Sequence, residues 1–389
     1  MPEGNLIIIG SGLKCIVQFT LEAIAALERA DKVFYCVADP ATEGFIKEKN
    51  KSAVDLYQYY ANGRLRYETY ILMAEVIMEA VRAGQSVVGV FYGHAGNFVS
   101  PSRRAIAIAK SEGYSAKMLP GISAEDCLFA DLLIDPSYPG AQTVEATDLL
   151  IRSRPILTSS HVIIYQVGVL GQLGFEFGGI KNDKFNHLVQ RLLQEYGEGH
   201  PVINYKAAIS PFSSPTIQRY IISELSNPEV QKTVDACSTF YIPPKALLPI
   251  SDTATLVSLD KSGSVPLSPP LWWDPLNTSA PTLYGPKEAE VISNEGNHSP
   301  PEGYRRYSAS PAMQKTVEQL VLDPNALEVY KRSPEVYTTS VHGLEPHEAK
   351  ALASAKEGTI FSTMHEGLSD SGDTPTVVVV IVILGNHPP

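Results

Sequence analysis

Up to about Lys245, short β-branched runs alternate with helix-like stretches, and few architectures satisfy that alternation. Strands buried on both faces need compact apolar runs, and helices are what join parallel strands. The pattern predicts an α/β domain. Leu6 to Ile9 is the first run, followed by Gly10-Ser11-Gly12 and an amphipathic segment from Thr20 to Ala30. Lys32 to Val37, Ser86 to Tyr92, Ala116 to Leu119, His161 to Val167 and Pro201 to Tyr205 read as further strands. Tyr70 to Ala83, Ser102 to Glu112 and Lys184 to Tyr196 read as helices.

After Ile242 the alternation stops. Twelve prolines from Pro243 to Pro311 interrupt any long helix or central strand, so this stretch is expected to wrap over another surface or to be partly disordered. Burial of the adjacent Trp272 and Trp273 favours the same arrangement. Helical patterning returns from Ala312 to about Lys356, where Asp323-Pro324 and Glu345-Pro346 look like helix starts. A polar stretch, Glu366 to Asp373, then leads to Val377, Val378, Val379, Val380, Ile381, Val382, Ile383 and Leu384. This β-branched run reads as a buried C-terminal strand. It reads also as an aggregation-prone tail that something must hold or consume, because it has no polar alternation and hangs on a Gly/Ser/Asp tether.

The 389 residues carry 31 Lys+Arg against 42 Asp+Glu, a formal net charge of −11, which argues against nucleic acid as the main partner. No run reaches the roughly 20 apolar residues that span a bilayer, and the start does not resemble a secretory signal, so no membrane association is expected. The four cysteines are scattered and form no metal-binding cluster, which suits free thiols in a reducing cytoplasm.

Four segments carry candidate chemistry. Gly10-Ser11-Gly12 reads equally as a tight strand-to-helix turn or a cofactor loop; Cys15 stands where a dinucleotide fingerprint has its third glycine. Val90 to Phe98, with Tyr92, His94 and Asn97, and Leu119 to Asp126, with Ser123 and Ala124, follow strands where α/β proteins bind ligands. His94 reads also as a hydrogen-bonded loop histidine, and Ser123 as a helix cap. Tyr57-Gln58-Tyr59-Tyr60, Arg64, Arg66, Tyr67 and Tyr70 form a phenol and guanidinium cluster suited to stabilising an anion on a weak acid, or to an aromatic interface.

Together these motifs resemble the tetrapyrrole-methylase class of S-adenosylmethionine-dependent methyltransferases. Within it, YCVADPATEGF, DLYQYYANGRLRYETY, VVGVFYGHAGNFVSPSRRAIAIAKSEGY and MLPGISAEDCLFADLLIDPS resemble the fungal omphalotin-type borosin precursors. The resemblance implies a two-lobed α/β methyltransferase domain over residues 1–245 and a Pro-rich wrapping segment over 246–311. It further implies a helical clasp and tether over 312–373, and a core peptide with a short follower over 374–389. It implies α-N-methylation of backbone amides within Val377 to Leu384 of the chain's own tail, with S-adenosylmethionine as methyl donor and no metal. Arg66 and Tyr70 match the family's principal catalytic positions, with Tyr57 and Tyr60 supporting them. Gly10, Tyr92, His94, Asn97, Ser123, Ala124, Gln166, Ala207, Ser238 and Thr239 match cofactor-binding positions. A homodimer, each tail in its partner's active site, and a separate protease or macrocyclase for release complete the expectation. Thr376 stands where a relative has tryptophan, and Asn97 where it has valine. Two other readings compete: a freestanding methyltransferase acting on an external tetrapyrrole-like substrate, and a scaffold whose valine tails pair between chains.

Overall fold

A computed structural model describes residues 3–137, 139–177, 181–246, 248, 251–259, 286–299 and 307–365. The valine-rich tail, its flanking residues and the Trp272-Trp273 pair lie outside the described residues. Those up to Leu259 belong to one compact unit, and those from Pro286 to a second.

The first unit contains two five-stranded sheets. β1 (Asn5–Gly10), β2 (Lys32–Cys36), β3 (Val54–Asp55), β4 (Ser86–Phe91) and β5 (Ser115–Met118) form a wholly parallel sheet in the order β3-β2-β4-β1-β5. Its connections include α1 (Leu21–Arg29), α2 (Pro40–Lys49), α3 (Arg66–Arg82) and α4 (Ser100–Ser111). The pleat divides the apolar runs between two layers. Leu6, Ile8, Val87 and Phe91 pack with Met73, Ile77 and Met78 of α3 and Ala105 of α4. Ile9, Val88 and Val90 pack with Ala23 and Leu27 of α1 and Ile46 of α2. Burial on both faces explains why these strands carry no polar alternation.

The second sheet is mixed. It contains β6 (Ala141–Glu145), β7 (His161–Tyr165), β8 (Pro201–Lys206), β9 (Thr216–Ile221) and β10 (Thr239–Ile242), in the order β6-β7-β10-β8-β9. β10 runs antiparallel to both β7 and β8. α5 (Ala124–Leu132) leaves the first sheet after β5 yet buries Leu128 and Leu132 against Ile163, Ile203, Tyr205 and Tyr241 of the second. α6 (Ala146–Ile151) and α7 (Phe185–Tyr196) cover the other face, and α8 (Pro228–Gln231) and α9 (Thr253–Leu259) follow.

The helix expected from Tyr70 begins one turn earlier, at Arg66. Leu65 provides no capping side chain, so the start left no local signal. Tertiary pairing fixes it instead: Leu65 bridges Gly174, and the Arg66 N–H donates to the Leu173 carbonyl at 2.9 Å.

The second unit contains α10 (Pro286–Ser293), α11 (Pro311–Leu322), α12 (Pro324–Arg332), α13 (Pro334–Thr339), α14 (Pro346–Ala353) and α15 (Glu357–Thr363). Here prolines start helices, because the missing N–H falls where no intrahelical acceptor exists. The expected starts at Asp323-Pro324 and Glu345-Pro346 are both found. Leu320, Tyr330 and Leu352 form the core, and the Tyr330 hydroxyl donates to the Leu352 carbonyl at 2.6 Å. Glu348, only 1% exposed, accepts from the Ser310 N–H and hydroxyl, both at 2.7 Å, and from the Glu345 N–H at 2.9 Å. One carboxylate thereby joins the starts of α11 and α14. Among the described residues no helix is long and apolar enough to cross a membrane.

Candidate active site

β1, β4 and β5 run parallel and deliver their following loops to one edge of the first sheet. Gly10 and Gly12 are accounted for by the packing of those loops. A Cβ on Gly10 would lie 2.2 Å from the Gly93 carbonyl oxygen, and Gly12 adopts φ +71°. Gly12 and Gly93 exchange N–H···O bonds of 3.2 and 2.9 Å. His94 Nδ1 accepts from the Gly96 N–H at 2.9 Å, which leaves the proton of the neutral ring on Nε2. Asn97 is exposed. Burial, reinforced by the neighbouring Cys237 and Cys127 thiols, pushes the Tyr92 phenol up to about 12, so it is a neutral donor at physiological pH. Ser123 caps α5: its hydroxyl accepts from the Asp126 N–H, and the Asp126 carboxylate accepts from the Ser123 N–H at 2.6 Å.

The remaining cofactor positions lie at one edge of the second sheet. β7 and β8 end there and β10 begins there, which places Gln166, Ala207, Ser238 and Thr239 at neighbouring strand ends. Gln166 has φ +58°, an uncommon conformation for a residue with a side chain. The Ser238 hydroxyl accepts from the Asp235 N–H at 3.0 Å. The two edges meet along a seam. The Tyr165 hydroxyl donates to Glu125 at 2.7 Å, Phe98 packs edge-on to Tyr165 with centroids 5.2 Å apart, and the Cys15 N–H donates to the Ile209 carbonyl at 2.9 Å. The ten positions are neutral or nearly so, and small at Gly10, Ala124 and Ala207. Such a lining fits a nucleoside ligand that brings its own compensating charges, with hydrogen-bonding groups supplied by both lobes.

The Tyr/Arg cluster forms beside this seam. Arg66 and Tyr70 stand one turn apart on α3, spacing that puts two side chains on one helix face. Arg66 Nη1 donates to the Gln172 carbonyl at 2.9 Å, which limits where the guanidinium can point. Tyr60 meets Tyr70 edge-on with centroids 6.4 Å apart, and Tyr57 lies 5.2 Å from Tyr60. Burial, and then the Tyr70 hydroxyl, raise the Tyr60 phenol well above its usual range, with Arg66 pulling the other way. Tyr70 also lines a cavity of about 670 Å3, together with Gly96, Phe98 and Arg103. The cavity thus connects the cluster to the loop after β4; Arg66 and Tyr57 do not line it.

Sequence reasoning missed Phe175 and Phe177, whose rings pack on Tyr60 at 4.4 Å and on Tyr57 at 6.1 Å. Their only local signal was an aromatic pair two residues apart in a glycine-containing segment. Phe98 was quoted within its loop but given no role. Among the described residues there is no group of three or more His, Cys, Asp and Glu side chains able to hold a metal.

Comparison with known proteins places the chain in a family. The pattern described as tetrapyrrole (corrin/porphyrin) methylases matches residues 5–214, and that described as the borosin biosynthesis clasp domain matches residues 283–383. The chain is 51% identical over 357 residues to the methyltransferase/ribosomally synthesized cyclic peptide dendrothelin A precursor of Dendrothele bispora, covering 90% of this chain and 85% of the relative. Identity to the corresponding omphalotin A precursor of Omphalotus olearius is 46% over 399 residues, covering 98% and 95%. For the lentinulin A precursor of Lentinula edodes it is 49% over 356 residues, covering 90% and 85%. From a tetrapyrrole-methylase-like α/β domain through the clasp, the chain belongs to the borosin family of methyltransferase/ribosomally synthesized cyclic peptide precursors.

Proposed function

We propose that the protein α-N-methylates backbone amides in its own C-terminal run, Val377 to Leu384, and so makes the precursor of an N-methylated, cyclic ribosomal peptide. The observation that carries this reading is the cavity shared by Tyr70 and the loop after β4, in a chain whose residues Val377 to Leu384 are an unbroken β-branched and leucyl run. Residues 1–245 are the methyltransferase domain, 246–311 a wrapping segment, 312–373 the clasp and tether, and 374–389 the core with its follower.

S-adenosylmethionine, when bound, supplies an electrophilic methyl group. Tyr92, His94, Asn97, Ser123 and Ala124 would hold it from one lobe, and Gln166, Ala207, Ser238 and Thr239 from the other, with Gly10 letting the loops close. A peptide nitrogen is a poor nucleophile because its lone pair is delocalised into the carbonyl. Tyr70 takes or relays the amide proton. Arg66, with the phenols of Tyr60 and Tyr57, stabilises the negative charge that develops on the carbonyl oxygen. The raised Tyr60 phenol suits it to donate a hydrogen bond rather than act as base. An extended, β-branched substrate presents its amides at regular intervals, which suits iterative reaction at one site.

The working form is a homodimer in which each tail enters the partner's active site, and a separate protease or macrocyclase releases the product. Intact and fragment masses of the tail after expression of the whole chain test the activity. Methylene increments on backbone nitrogens within Val377 to Leu384 support it; an unmodified tail in a protein that binds S-adenosylmethionine overturns it. Mixing an Arg66→Ala chain with an active chain lacking its tail tests transfer between subunits, through methylation of the inactive chain's tail.

A further inference from the structure

One wall of the 670 Å3 cavity has no role in the chemistry proposed above. Its lining includes two cations, Arg103 and Arg104, and no acidic side chain, on a chain whose formal net charge is −11. Arg103 is partly engaged, since Nε and Nη2 donate to the Gly96 carbonyl at 3.1 and 2.7 Å. Arg104, the next residue on α4, is exposed and its guanidinium has no hydrogen bond or ion pair among the described residues. A guanidinium without a counter-charge, in a cavity also lined by Tyr67 and Phe98, suits a carboxylate ligand.

The chain carries such a ligand. Glu366, Asp370 and Asp373 immediately precede the core run, and no lysine or arginine follows Lys356. Asp373 stands four residues before Val377, about 13 Å of extended chain. A carboxylate held at Arg104 would therefore set the first core residues within reach of Tyr70, on the same cavity. We propose that the acidic tether Glu366–Asp373 of a second copy of this chain docks on Arg104, with Arg103 beside it, and so sets which core amide reaches Tyr70 first. The inference rests on the tail being the substrate and adds what registers it.

The test uses full-length protein. Arg104→Glu and Asp373→Arg should each lower the amount of methylated tail formed in a fixed time by about tenfold, and the paired exchange should recover most of it. A second readout does not depend on methylation. The Arg104→Lys variant, treated with a water-soluble carbodiimide, should give a covalent dimer in which an α4 peptide is joined to a tail peptide through Asp370 or Asp373. Wild-type methylation in Arg104→Glu together with no α4–tail cross-link overturns the docking. A cross-link confined to single chains overturns the partner's part in it. A cross-linked dimer whose wild-type tail is unmethylated upholds the docking and sinks the methyl-transfer reading instead.

Discussion

The Tyr165 hydroxyl and the Glu125 carboxylate meet at 2.7 Å and tie the end of β7 to the first turn of α5. Each residue also neighbours a proposed ligand contact, Gln166 and Ala124. Removing the hydroxyl leaves a half-buried carboxylate without its donor, and hydrogen bonds to charged groups contribute about 1.5–3 kcal/mol. Tyr165→Phe is expected to shift the urea midpoint downward and to weaken S-adenosylmethionine binding in calorimetry. An unchanged midpoint and affinity would mean that the bond does not hold the seam.

Arg66 and Tyr70 separate charge stabilisation from proton transfer. Arg66→Ala should reduce tail methylation by about 100-fold or more while leaving cofactor affinity within a few-fold of wild type. A smaller loss in Tyr70→Phe would argue that electrostatics outweigh proton transfer. Quantitative mass spectrometry of the tail over time gives both rates, and full activity in Arg66→Ala removes it from the mechanism.

Two glycines give opposite outcomes from the same substitution. Gly10→Ala places a methyl 2.2 Å from the Gly93 carbonyl, so the loops must part, and both stability and cofactor affinity should fall. Gly44 lies inside α2 with nothing within 4 Å of an added Cβ, and Gly44→Ala should raise stability by about 0.5–1 kcal/mol. Thermal unfolding with and without S-adenosylmethionine distinguishes them.

Glu348 makes the second unit sensitive to acid. Burial pushes its carboxyl up, but hydrogen bonds from Ser310 and Glu345 more than reverse that, leaving it below the usual carboxylate range. A group lowered in the folded state contributes stability that is present above its unfolded value, near 4.3 for glutamate, and is lost as pH falls through the folded one. The protection of amides in α11 and α14, measured relative to the intrinsic exchange rate at each pH, should therefore fall below about pH 4. Glu348→Gln should exchange faster at neutral pH and respond less to acid.

What could be read from the residues depended on whether the cause was local. β1 and β4 were legible because strands buried on both faces are dense in Val, Ile and Leu. Asp323-Pro324 and Glu345-Pro346 were legible because cap and proline act within one turn. β9 left little trace, as its Thr216–Ile221 segment is partly exposed and mixes polar with apolar side chains. The start of α3 at Arg66 was invisible because residues 172–174 hold it, more than a hundred positions away. For the same reason Phe175 and Phe177 went unread as partners of the Tyr57 and Tyr60 rings. The glycines at 10 and 12 were noticed, yet their clearest task is to let one loop rest on another.

The path of α5 restricts how the molecule can breathe. This helix rises from a loop of the first sheet but is rooted in the core of the second, so a clamshell motion would have to uncap Ser123 or pull Leu128 and Leu132 from their sockets. The helix thus acts as a rivet between the two sheets, and passage of a small molecule to or from the seam is expected to draw on exposed rim residues such as Phe212, 96% exposed, rather than on parting the sheets.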